Sequence, residues 1–90
     1  MVKDAGPLPL LPEVVLYTRA RCHLCEEAKE QLRALRRQAA FELREIDIDS
    51  DPELQRRYND EVPVIFIQGR KAFKYRIEPR QFLKRLERPS

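Results

Sequence analysis

Cys22 and Cys25 are the only cysteines in the chain, and two residues separate them. An apolar run, Val14-Val15-Leu16-Tyr17, precedes the pair, and a helical pattern follows it. That order puts Cys22 where a strand turns into a helix. Side chains three apart share one helix face, so both sulfurs can meet. A thiol at a helix N-terminus sits at the positive end of the dipole, beside N–H groups that lack intrahelical partners. Both effects favour the thiolate, the form that attacks disulfides. A C-x-x-C beside a β-α-β pattern reads first as a redox-active dithiol. Metal binding is the rival. A tetrahedral zinc site takes four ligands, and one chain offers Cys22, Cys25 and a badly placed His23. A zinc or iron–sulfur cluster shared between two chains is therefore the alternative. Serine-type, carboxylate-pair and phosphate-loop chemistries have no candidate residues, and Gly6 and Gly69 are the only glycines.

The elements that must position the dithiol follow from periodicity. Val14 to Tyr17 has the wholly apolar pattern of a central strand buried on both faces. From Cys22 to about Gln38, Leu24, Ala28, Leu32 and Leu35 form one stripe of an amphipathic helix. Glu26 and Glu27 in its first turn and Arg36 and Arg37 in its last suit the helix dipole. Phe41 to Ile48 reads as the second strand. Its inward phase changes between Leu43 and Ile46, which predicts a bulge or burial of both faces. Ser50 or Asp51 caps a short helix with Pro52 in its first turn and Leu54 and Tyr58 four apart. Val62 to Ile67 is a third strand, and Gln68-Gly69-Arg70 turns it into a fourth, Lys71 to Arg76, with Ala72 and either Phe73 or Tyr75 facing the core. Glu78-Pro79 opens a last helix with Phe82, Leu83 and Leu86 on its apolar face. The order is β-α-β-α-β-β-α, an α/β chain with a four-stranded mixed sheet in which the first two strands are parallel neighbours.

Ninety residues make one small domain. Residues 1–12, broken by Pro7, Pro9 and Pro12, read as a tail, and residues 13–90 as the single domain. No stretch is apolar enough to span a bilayer, and no signal peptide is visible, so the expected compartment is the cytoplasm. Reducing conditions there disfavour a permanent disulfide. A net charge of +3 with both signs interleaved describes a salt-bridged surface and gives no stripe for nucleic acid. Arginine in excess of lysine, scarce glycine and frequent proline would suit a heat-tolerant protein or reflect genome base composition.

Pro63 opens a strand rich in β-branched residues, a place for a strand-entrance proline or a cis bond. With Tyr17-Thr18 ahead of the dithiol, Cys22-x-x-Cys25, the helix after it and Val62-Pro63-Val64-Ile65-Phe66-Ile67, the chain resembles the glutaredoxin-like proteins of the thioredoxin fold. The resemblance covers Val14 to Leu86. It implies a three-layer sandwich, with Cys22 as exposed nucleophile, Cys25 as resolving thiol and Pro63 as a cis-proline beside the sulfurs. The Val62 backbone would pair with an extended substrate, since main-chain bonds hold a peptide without reading its side chains. Arg19 takes the place of a lysine that meets a glutathione carboxylate, and Arg76 is a second candidate for such a contact.

The chain departs from the common pattern in three places. His23 and Leu24 stand between the cysteines where proline and an aromatic are usual. Asp60 and Glu61 precede Val62-Pro63 in place of a basic residue and threonine. Lys74 to Pro79 replaces a Gly-Gly turn whose N–H groups receive a ligand carboxylate. The reading is a thiol–disulfide oxidoreductase for cell redox homeostasis. It implies no resident cofactor, with glutathione only a candidate co-substrate. Its expected partners are a disulfide-containing protein or low-molecular-weight thiol and a reducing system, with no nucleic acid and no membrane. The chain is expected to be a monomer. The alternative is a non-enzymatic module that binds a partner or metal through the same cysteines.

Overall fold

Strand parity and two helical stripes build this molecule. The computed structural model describes residues 11–87, so most of the proline-punctuated tail and the last three residues lie outside it. The strands are β1 (Glu13–Thr18), β2 (Glu42–Asp47), β3 (Val64–Ile67) and β4 (Arg70–Lys74), and the helices are α1 (His23–Leu35), α2 (Pro52–Tyr58) and α3 (Pro79–Glu87). They run in the expected β-α-β-α-β-β-α order, with a 3-10 turn at Ile48–Ser50 before α2. The sheet order is β2-β1-β3-β4. β1 is parallel to β2 and antiparallel to β3, and β3 is antiparallel to β4. The expected α/β mixed sheet of the thioredoxin type is present.

Alternate side chains of the two central strands enter separate cores. Val14 and Leu16 of β1 and Ile65 and Ile67 of β3 pack with Ala28, Leu32 and Leu35 of α1 and Phe82 and Leu86 of α3. Val64 and Phe66, of opposite parity, pack with Tyr17, Ile48, Leu54 and Tyr58 around α2. The sheet is thus the middle of three layers. Each large aliphatic side chain buried this way contributes roughly 1.5–3 kcal/mol. Phe41 meets Phe82 edge-on at 5.2 Å between centroids, a geometry worth about 0.5–1.5 kcal/mol beyond burial.

The structure corrects several local expectations. α1 ends at Leu35, where the Gln38 and Ala39 N–H groups both donate to the Leu35 carbonyl, so Arg36 and Arg37 lie past its end. Its buried stripe is Cys25, Ala28, Leu32 and Leu35, and Leu24 is only half-buried beside it. β2 carries no bulge: its pairing with β1 is unbroken from Glu42 to Asp47. The phase change there marks the two faces of the strand, for Leu43 joins the larger core and Ile46 points the other way. The one irregularity lies between Ile65 and Phe66 of β3, whose partners Phe73 and Lys71 skip Ala72. The extra residue lets adjacent Ala72 and Phe73 both reach the larger core. Tyr75 stays 41 % exposed rather than entering it. Other expectations hold: of Ser50 and Asp51, it is Asp51 that caps α2 through its carboxylate, with Pro52 in the first turn. Gln68 (φ 52°) and Gly69 (φ 81°) form the two-residue hairpin turn, where two positive φ values match strand twist.

Candidate active site

The turn from β1 into α1 sets the sulfurs. Arg21 takes a left-handed φ of 60°, uncommon outside glycine, and swings Cys22 onto the start of the helix. Cys22 is extended (φ −109°, ψ 111°) and is the N-cap: its Sγ accepts the Cys25 N–H at 3.2 Å and its carbonyl accepts the Glu26 N–H at 3.1 Å. The sulfur therefore stands where a serine or aspartate oxygen usually caps a helix. Cys22 is half-buried and Cys25 fully buried, and both thiols are free. Burial pushes the Cys25 thiol up, and the neighbouring Cys22 side chain adds to this; the Thr18 hydroxyl and the Arg19 backbone pull the other way. One sulfur is reachable and the other is held back. Such a pair can take a disulfide from outside and close on itself.

The third strand brings the second landmark. The Val62–Pro63 peptide is cis, and both residues are buried. Val62 shares one apolar cluster with Cys25, with Cys22 and Tyr17 packed against it. The segment is braced from the β4–α3 connection. The Tyr75 N–H donates to the Pro63 carbonyl at 2.8 Å, and its hydroxyl donates to the Asp60 carbonyl at 2.9 Å. Tyr75 accomplishes this at a φ of 70°, an outlier for a bulky residue. The Glu61 carboxylate is met by Lys71 at 2.7 Å, which holds it below the usual carboxylate range.

The two candidate arginines lie apart. Arg19 turns to α2: Nη2 meets Asp49 Oδ1 at 2.7 Å, and Nη1 donates to Asn59 Oδ1 at 2.7 Å. Gln55 completes the network by donating to the same Asp49 oxygen at 2.9 Å. The Arg19 bond, and then Gln55, hold the Asp49 carboxyl below its ordinary value. Arg76 instead meets Glu27 of α1 at 3.4 Å, and Glu27 also accepts His23 Nε2 at 3.0 Å. His23 is 87 % exposed and turned to this pair. The structure thus gathers Cys22, Cys25 and Val62 in one apolar cluster, with the buried cis Pro63 next to Val62 in the chain, and leaves Arg19 and Arg76 on different partners. Among the described residues, no three His, Cys, Asp or Glu side chains converge as a metal set. Likewise, none of the described helices is long and apolar enough to cross a membrane.

Sequence reasoning gave no role to Thr18, Asp49 or Asn59. Thr18 could have been found from parity, since it follows Val14 and Leu16 on the α1 side of β1. Asp49 and Asn59 lie thirty and forty residues from Arg19 and gave no local signal.

The chain matches known proteins along nearly its whole described length. A solution NMR structure of protein Ne2328 from Nitrosomonas europaea is 35 % identical, with a TM-score of 0.75 over 97 % of this chain and 100 % of that one. The Mycobacterium tuberculosis protein named Uncharacterized protein Rv0508 is 36 % identical over 64 residues, which span 66 % of each chain. Oxidised mitochondrial thioredoxin 3 from Saccharomyces cerevisiae, at 15 % identity, shares the fold with a TM-score of 0.64 over 87 % of this chain and 78 % of its own. The family model described as Glutaredoxin-like domain (DUF836) matches residues 13–87, the span that holds every element described above, and the chain belongs to that family.

Proposed function

We propose that the chain is a thiol–disulfide oxidoreductase that works through Cys22 and Cys25 in the cytoplasm. The observation that carries this reading is the inequality of the two sulfurs: Cys22 caps α1 at the surface, and Cys25 is sealed beneath it. Cys22 thiolate attacks a substrate disulfide and releases one substrate thiolate. The mixed disulfide lies against Val62-Pro63. Cys25 then attacks the Cys22 sulfur, the second substrate thiol leaves, and the oxidised pair awaits a reductant.

The reductant we favour is a protein dithiol or a thioredoxin-type reductase. Three features support this over glutathione. Arg19 is already paired with Asp49 and Asn59. The Glu78 carboxylate accepts the Arg80 N–H at 3.2 Å, so the chain's own anion occupies the start of α3. No Gly-Gly turn supplies further N–H groups. Each charge-assisted hydrogen bond withheld from a ligand costs about 1.5–3 kcal/mol, or roughly tenfold and upward in affinity.

The test uses reduced protein with a disulfide-bonded protein substrate. Wild type turns over, Cys22→Ser is inert, and Cys25→Ser accumulates a mixed disulfide through Cys22. Retained activity in Cys22→Ser would sink the reading, as would stoichiometric zinc or a cluster bridging two chains. Recycling of the oxidised protein by glutathione as fast as by a thioredoxin-type reductase would overturn the choice of reductant.

A further inference from the structure

Thr18 ends β1 with its side chain buried, only 6 % exposed, and its Oγ1 has no aligned hydrogen-bond partner. A buried hydroxyl without a partner carries a desolvation cost that folding does not recover, and such groups are rare. Where Thr18 points follows from parity. Val14 and Leu16 of β1 pack on Ala28, Leu32 and Leu35 of α1, Thr18 continues the buried alternation of the strand, and Cys25, the first buried residue of α1, lies where this face meets the Val62 cluster. Because α1 runs back along β1 after the turn, its first buried residue lies over the last buried residue of the strand. Cys25 and Thr18 are that pair: both are buried, and the Thr18 hydroxyl is close enough to act on the Cys25 thiol.

We propose that the Thr18 hydroxyl donates a hydrogen bond to the Cys25 sulfur as it becomes a thiolate in the resolving step, an inference that rests on the oxidoreductase reading. The resting thiol leaves the donor uncommitted. When Cys25 loses its proton, the buried hydroxyl is a side-chain donor that acts on its sulfur. The step balances: Cys25 forms a bond to the Cys22 sulfur, the bond from Cys22 to the substrate sulfur breaks, and the leaving thiolate takes up the proton that Cys25 gave to solvent. Thr18 keeps its own proton throughout. Among the groups acting on the Cys25 thiol, the Thr18 hydroxyl is the side chain that favours the anion, against burial and the Cys22 neighbour. This explains why the chain tolerates an orphaned hydroxyl in its core.

The two half-reactions can be separated with dithionitrobenzoate, a coloured-leaving-group disulfide. Attack by Cys22 releases one thionitrobenzoate, and resolution by Cys25 releases the second. In Thr18→Val the first phase is expected to keep its rate, while the second slows about tenfold or more near neutral pH, because a bond to a charged sulfur is lost. The pH midpoint of the second phase moves upward, and Thr18→Ser restores both. Thr18→Val is also expected to melt at a higher temperature than wild type, because a methyl group replaces an unpaired polar atom. A second phase unchanged in Thr18→Val would overturn the proposal, as would equal slowing of both phases or failure of serine to rescue. Absence of the first phase in wild type would instead refute the oxidoreductase reading itself.

Discussion

Replacing Cys22 by alanine or by serine abolishes the thiol equally, yet the two variants are expected to differ in stability. In the native chain Cys22 Sγ accepts the Cys25 N–H at 3.2 Å and satisfies one of the free donors at the start of α1. Both replacements shed the same sulfur and the same packing against the cluster that holds Val62. Only serine keeps an acceptor on a backbone already in the extended conformation that an N-cap adopts. Loss of an N-cap acceptor to alanine typically costs about 1 kcal/mol, within a range of roughly 0.5–2. For a domain of this size, 1 kcal/mol shifts the midpoint of thermal unfolding by about 4–8 °C. Cys22→Ser should therefore melt about that far above Cys22→Ala, and hydrogen exchange should show faster opening of the Cys25 and Glu26 amides in the alanine variant. Coincident melting curves and equal exchange would refute the assignment of Cys22 as the helix cap.

Brief iodoacetamide treatment should label Cys22 and spare Cys25, whose burial both hides the thiol and raises its pKa; mass spectrometry showing equal labelling in the folded protein would contradict this. Tyr75→Phe removes the hydroxyl that braces Asp60, a bond worth about 0.5–1.5 kcal/mol, and should weaken substrate binding across Val62-Pro63 without slowing Cys22 alkylation. A substrate KM unchanged from wild type would argue against the brace. Asp49 has a folded pKa below its unfolded value, so its stabilising contribution is present above the ordinary carboxylate range near about 4 and fades as pH falls through the folded value. Thermal melts of Asp49→Asn should accordingly show a flatter acid limb than wild type; superimposable limbs would show that the Arg19–Asp49 pair contributes nothing.

What the sequence disclosed was whatever neighbours in the chain decide. The Val14-Val15-Leu16-Tyr17 run announces a central strand because every residue is apolar, and Cys22 at a strand-to-helix junction announces its own role as cap. Pro63 after Val62 marks a special strand entrance for the same local reason. The Arg19 partners, by contrast, come from the two ends of α2, and no spacing rule links them. Leu24 looked like the start of the buried stripe because it is the more apolar residue, yet the geometry of the turn gives that place to Cys25. Phe73 and Tyr75 are alternatives for the core from their rings alone; Phe73 takes the place, and Tyr75 stays outside with its N–H on the Pro63 carbonyl. Thr18 was legible only as a position in a motif. Its burial without a partner is a property of packing.

The aromatic cluster beside the dithiol has a practical side. The chain has no tryptophan and three tyrosines, so its near-ultraviolet emission comes from Tyr17, Tyr58 and Tyr75 alone. Tyr17 and Tyr58 stack at 4.8 Å with Phe66 edge-on to both, and all three share the apolar cluster that holds the two cysteines. A Cys22–Cys25 disulfide closing there is expected to quench the adjacent phenols. On the oxidoreductase reading, tyrosine emission is therefore expected to report the oxidation state of the pair, readable in a cuvette without dye, tag or tryptophan background.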